Sequence, residues 1–132
     1  MAAGCSNTGG STRVQVGAWA SGASYDSANS QIDSDLSYLA KAQRSAAFKA
    51  FQVNCEGFSG DVETLYETLP TPDTALTNEL NAAFTSWFNA AATCAKASSV
   101  RSDAYRDAVS EIASGERSYR LATQRLAHFG VK

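Results

Sequence analysis

Sixteen consecutive residues, Leu80 to Ala95, carry no charge, and they lie within a longer stretch, Thr71 to Ser98, with a helical apolar period. Leu76, Leu80, Ala83, Phe84, Trp87, Ala91 and Cys94 recur at steps of three and four, which gathers them on one face of a helix. The opposite side offers Ala82, Ser86, Asn89, Ala90 and Thr93, small enough for neighbouring backbones to come close. A helix this poor in charge has to be covered on most sides, so the rest of the chain must supply apolar helical faces to cover it.

It does so on both flanks. Tyr25 to Arg44 reads as a first helix, with Ser24 or Ser27 as its cap and Ala28, Ile32, Leu36 and Leu39 as its buried stripe. Asp26, Asp33 and Asp35 stand towards its start and Lys41 and Arg44 towards its end, an order that suits the helix dipole. No glycine or proline separates it from the next segment, so it can run on through Ala46, Ala47 and Ala50. Phe48, Phe51, Cys55, Phe58, Val62, Leu65 and Leu69 then alternate spacings of three and four. Gly57 and Gly60 lie off that stripe, and three readings fit them: a close helix approach, a kink, or a stop near Cys55 with a restart at Ser59. Pro70-Thr71-Pro72-Asp73 ends the segment and begins the central helix, with Thr71 expected at the cap and Pro72 at the first helical position. A last helix is expected over Val100 to Phe129, capped by Ser98 or Ser99. Its inner face is Tyr105, Val109, Ile112, Tyr119, Leu126 and Phe129, with Ala108, Gly115 and Ala122 filling in, and Gly130 and Val131 form a Schellman-type close. Four helical segments on short connections predict an all-α, up-and-down four-helix bundle over 25–132.

The remaining residues, 1–24, read as a polar N-terminus and flexible linker, with Trp19 either at a lipid interface or packed over one end of the bundle. The 132 residues suffice for one domain. With a net charge of −2 and no long run of one sign, nucleic acid is not the expected partner. No stretch approaches the length of an apolar membrane span. The one histidine, His128, suits the positive end-of-helix role better than that of a general base. Asp33 and Asp35, like Asp61 and Glu63, are two apart and point to different sides of a helix, and Glu63 with Glu67 is a solvated pair. Neither catalytic residues, nor a metal site, nor a cofactor is expected. Arg117, Arg120 and Arg125 make the end of the last helix mildly basic, most simply as a solvated face.

Three cysteines carry more information. Cys55 and Cys94 fall on the apolar stripes of their helices, while Cys5 lies in a Gly/Ser/Asn-rich leader, so a pair plus one spare is expected in an oxidising compartment. A tight hairpin about residue 71 would put Cys55 opposite Trp87, leaving Cys94 about 10 Å further along, beyond the roughly 7 Å limit for a disulfide. The bridge therefore requires an overhang, supplied by a connection from Leu69 to Asp73 that runs extended before the next helix turns back, or in part by an opening of the chain between Cys55 and Ser59.

Ala2-Ala3-Gly4-Cys5, followed by Ser, Asn and Gly, resembles a bacterial lipoprotein processing site, although Ala2 stands where leucine is more usual. Taken with Cys55, Pro70, Thr71, Pro72, Asp73, Trp87 and Cys94, the chain resembles small uncharacterised exported lipoproteins of high-GC Gram-positive, actinobacterial-type bacteria. The resemblance implies lipidation at Cys5, a location on the outer face of the cell membrane, and a helical domain. It supplies no activity. The functional expectation is a non-enzymatic, membrane-anchored domain that binds a protein or envelope component, as an accessory subunit of a larger assembly. Two alternatives stand beside it. One is a carrier holding a lipid or cofactor in an apolar cavity lined by Phe48, Phe51, Phe58, Phe84, Trp87 and Phe88; the other is a cytosolic adaptor with reduced thiols.

Overall fold

The computed structural model describes residues 11–22 and 25–131. Five helices make up this part: α1 (Thr12–Gly22), α2 (Tyr25–Arg44), α3 (Phe48–Tyr66), α4 (Thr74–Lys96) and α5 (Asp103–His128), with no strand among the described residues. The fold class is all-α. Paired residues run in opposite senses from α3 to α4 (Cys55 with Cys94, Phe58 with Trp87) and from α4 to α5 (Trp87 with Ile112, Glu79 with Arg125), and α4 makes its most extensive contacts with α5. The uncharged stretch thus ends up where its composition requires. Leu76, Leu80, Ala83, Phe84, Trp87, Ala90 and Cys94 are all buried on α4.

Trp87 is the centre of the core. Its ring lies 5.0 Å from Phe58 of α3, 6.2 Å from Phe84 and 5.0 Å from Tyr119 of α5. Its indole N–H donates to the Ile112 carbonyl at 3.1 Å, which satisfies a polar group that would otherwise be costly to bury. The close approach depends on Gly115. A Cβ at that position would lie 2.3 Å from Trp87 Nε1, so α5 seats the indole on bare backbone. The other two helical glycines of interest differ. Gly57 and Gly60 have open space where a Cβ would stand, and α3 runs through both without a break.

The expected flexible linker is where the structure departs most from the sequence reading. Thr12–Gly22 forms helix α1, which buries Val16 and Ala20. Trp19 stacks on Tyr25 at 5.3 Å, and its indole N–H donates to the Thr68 carbonyl at 2.9 Å, so it covers the connection between α3 and α4. Arg13 reaches the His128 carbonyl at 3.1 Å and ties the same helix to the end of α5.

The break between α2 and α3, which no glycine or proline marks, is made by Ala46. Its φ is +53°, in the left-handed region. The Ala47 N–H returns to the Ala42 carbonyl at 2.9 Å and the Ala46 N–H to Gln43 at 3.1 Å, the two bonds of a Schellman close. The end of α5 uses the same device with the expected residue: Gly130 has φ +88°, and the Val131 N–H bonds to the Leu126 carbonyl at 2.9 Å. Two caps lie further along than expected. Asp73, and not Thr71, caps α4, its Oδ2 accepting from Leu76 N at 2.9 Å. Thr71 is buried and exchanges hydrogen bonds with Thr77. At α5 the cap is Ser102, which accepts from Tyr105 N at 3.2 Å.

Candidate functional site

The described residues divide by chemistry into a cross-linked end, a polar seam in the middle and two ends of opposite charge. Cys55 and Cys94 are joined in a disulfide with their Cα atoms 6.5 Å apart. Both sulfurs are buried on the facing stripes of α3 and α4. The register offset is taken up by the connection. Cys55 lies eleven residues before the end of α3 and Cys94 twenty residues after the start of α4. At 1.5 Å per residue the segment from Glu67 to Asp73 has to carry the chain roughly 13 Å beyond α3. Gln52 secures the same end of the molecule, donating to the Ala97 carbonyl at 3.2 Å. Cys5 lies outside the described residues.

The middle of the molecule holds buried ionisable groups that the apolar stripes did not reveal. Asp35 sits on the inner seam of α2, at a helical step from Ile32 and Leu39, and its Oδ2 is buried without a donor. Burial first, then Asp61 of α3 through a hydrogen bond and repulsion, pushes the Asp35 carboxyl up to about 7. Two carboxylates both only accept, so the pair is satisfied when one proton lies between them. On the other side of α2, Tyr119 of α5 hydrogen-bonds to Asn29 and to Tyr25. Burial, opposed by that bond and reinforced by Asp33 and Asp26, raises the Tyr25 phenol to about 12, and burial raises Tyr119 as well. A surface cleft of about 240 Å³ opens above this network, between Asn29, Asp33 and Leu36 of α2 and Glu116, Tyr119 and Arg120 of α5. Burial also raises the carboxyl of Asp33. The cleft can accept a few water-sized groups and has no nucleophile–base pair.

The six aromatic residues considered as a cavity lining all make ring contacts. Phe48 and Phe51 meet Tyr105, Phe58 and Phe84 meet Trp87, and Phe88 meets Tyr66. His128 is exposed. Among the described residues no three His, Cys, Asp or Glu side chains come together as a metal site requires, and no described helix is long and apolar enough to cross a membrane.

Charge is sorted along the long axis. The turn between α2 and α3 and the turn between α4 and α5 lie at one end, where Lys41, Arg44, Lys49, Lys96 and Arg101 are exposed and make no salt bridge among the described residues. Only Arg106 there is paired, with Asp103. The opposite end carries Asp26, Glu63 and Glu67 exposed, together with Asp73 and Glu79, which engage Arg125 at 3.8 and 3.0 Å. The basic half of the last helix considered from sequence is therefore dispersed. Arg125 is neutralised by α4, Arg120 lines the polar cleft and Arg117 is exposed. The concentrated cations come from three helix termini and one turn scattered over sixty residues. The available signal was the sum of charges at each hairpin turn once the helices are laid antiparallel. No protein-family model matches the chain, and neither a curated protein nor a solved structure is significantly similar to it.

Proposed function

We propose that this chain is a non-catalytic, extracytoplasmic binding domain, attached to the outer face of a cell membrane through a lipid on Cys5, and that it acts by holding a protein partner. In this reading α2 to α5 form a four-helix up-and-down bundle with α1 laid across one end. The observation that carries it is the buried Cys55–Cys94 disulfide, because such bridges persist in oxidising compartments and are rare where thiols are kept reduced. Closing a loop of 39 residues, it contributes about 4 kcal/mol in the chain-entropy treatment. Two further features support a binding role over catalysis. The aromatic residues fill the interior ring against ring, and the one histidine has no side-chain partner that would make it a base.

The test is the intact mass of the protein isolated from its native host, with and without reduction before alkylation. A diacylglyceryl-sized addition on Cys5, with Cys55 and Cys94 blocked to alkylation until reduced, is the expected result. An unmodified mass with three alkylated thiols in unreduced protein would remove both the anchor and the compartment.

A further inference from the structure

The unpaired cations at one end are not explained by helix stability alone. Lys41 and Arg44 close α2, and Lys96 closes α4, where positive charge complements the dipole. Helix α3 is charged the other way. Its second residue is Lys49 and its last turn carries Glu63, followed by Glu67 at the C-cap, so both termini oppose their dipole ends. Arg101 likewise stands just before the N-terminus of α5. The dipole accounts for three of the five cations, and Lys49 and Arg101 stand at helix N-termini, where positive charge costs stability.

The same end has an apolar groove beside these cations. Between α2 and α3 a groove of about 250 Å³ is lined by Tyr38, Lys41, Ala42, Ala47, Ala50 and Asn54. Tyr38 on its wall is 58% exposed, among the most exposed large apolar side chains described. The groove is concave and takes one or two large side chains, which a flat lipid surface would leave unfilled. Lys41 lines it and Arg44, the last residue of α2, stands next to Ser45 of the same lining, whereas Lys49 lies on the other side of α3, in the groove towards α4. We infer that this groove is a docking site for an acidic segment of a partner protein, one that inserts an aromatic or aliphatic anchor between Tyr38 and Ala50 and sets its carboxylates against Lys41 and Arg44. The inference rests on the binding role proposed above and gives it a surface and a partner chemistry. Anchoring near α1 would keep the acidic end towards the membrane and the basic end outward, where such a partner can reach it.

The experiment is a selection from a random peptide library displayed on phage, against the immobilised full chain with its disulfide intact. Sequences combining several Asp or Glu with one or two of Leu, Phe, Tyr or Trp are expected. A fluorescent synthetic copy should bind about tenfold or more weakly to the Lys41→Glu/Arg44→Glu variant, and more weakly as salt is raised. Tyr38→Ser should also weaken it, while Arg117→Glu on the distant part of α5 should leave it unchanged; circular dichroism checks that each variant is folded. The inference is overturned by a selection that yields nothing or no acidic enrichment, and by an affinity indifferent to the double reversal. It is equally overturned by vesicles containing phosphatidylglycerol displacing the peptide, or by self-association through the acidic end of a second copy occupying the groove. None of those results bears on the thiol state or mass of Cys5 in the native host, so the two proposals fail separately.

Discussion

Asp35→Asn should stabilise this protein above neutral pH and do nothing below about pH 4. The native fold holds the Asp35 carboxyl at about 7, against an ordinary value of 3.8. The folded state therefore binds a proton that the unfolded chain has already released between those two values. The stability tied to that proton is fully present below the unfolded value and is lost as pH rises through the folded one. A shift of about three units corresponds to roughly 4 kcal/mol at 1.36 kcal/mol per unit. The side chain is only partly buried, so solvent screening reduces the figure to about 1–2 kcal/mol. Asparagine keeps the shape, carries no charge and can donate from Nδ2 to Asp61, the bond that the ionised pair lacks. The assay is urea unfolding followed by tryptophan fluorescence, with Trp87 in the core as reporter, for wild type and variant across about pH 4.5 to 8.5. The variant should exceed wild type by about 1–2 kcal/mol, or about 4–8 °C in Tm, at the alkaline end, with the gap closing towards the acidic end. A gap that stays constant across the range, or a variant less stable at the alkaline end, would refute the shared-proton account.

Four backbone substitutions test the packing directly. Ala46→Gly should raise stability by about 1 kcal/mol, because alanine at φ +53° carries a steric cost that glycine does not; an unchanged or lower Tm would count against the Schellman assignment. Gly57→Ala and Gly60→Ala should each add about 0.5–1 kcal/mol and combine additively, since both positions are helical and open; a loss at either in thermal melts would mean that a neighbour sits there. Gly115→Ala should do the opposite and cost about 1–3 kcal/mol by displacing the Trp87 indole, visible as a lower urea midpoint together with a shifted emission maximum.

The periodic segments were legible because burial is a collective signal. The stripes on α3 and α4 contain enough large apolar residues to name the core before any coordinate is known, and Cys55 and Cys94 could be paired because both lie on them. Signals carried by a single residue were lost. Ala46 breaks the α2–α3 segment without a glycine, so nothing local marks the break. Helix α1 has only Val16 and Ala20 to bury, and its Gly/Ser/Ala composition reads as a linker until Trp19 is seen to seal the connection at Thr68. Asp35 occupies a seam position yet registers as polar, so a stripe drawn by hydrophobicity passes over it to Leu36. The caps moved because Asp73 and Ser102 compete with Thr71 and Ser99 two or three residues away, and only the bond to N2 or N3 decides between them.

Charge sorting belongs to a third category, because it is expressed along the chain only as charges summed at each hairpin turn. Lys41, Lys49, Lys96 and Arg101 come to one end only after two hairpins fold, and the same turns that gather them are held in place. The Schellman close at Ala46 fixes one, the disulfide lies about two turns into α3 and near the end of α4, and Gln52 bonds the Ala97 carbonyl beside the other. Ordering a surface before it meets its partner removes part of the entropy that binding would otherwise cost. The cross-link that stabilises the fold is thus also placed where a rigid cationic end needs it. Reducing the bridge would therefore weaken the docking proposed for the α2–α3 groove even in a chain that remains helical.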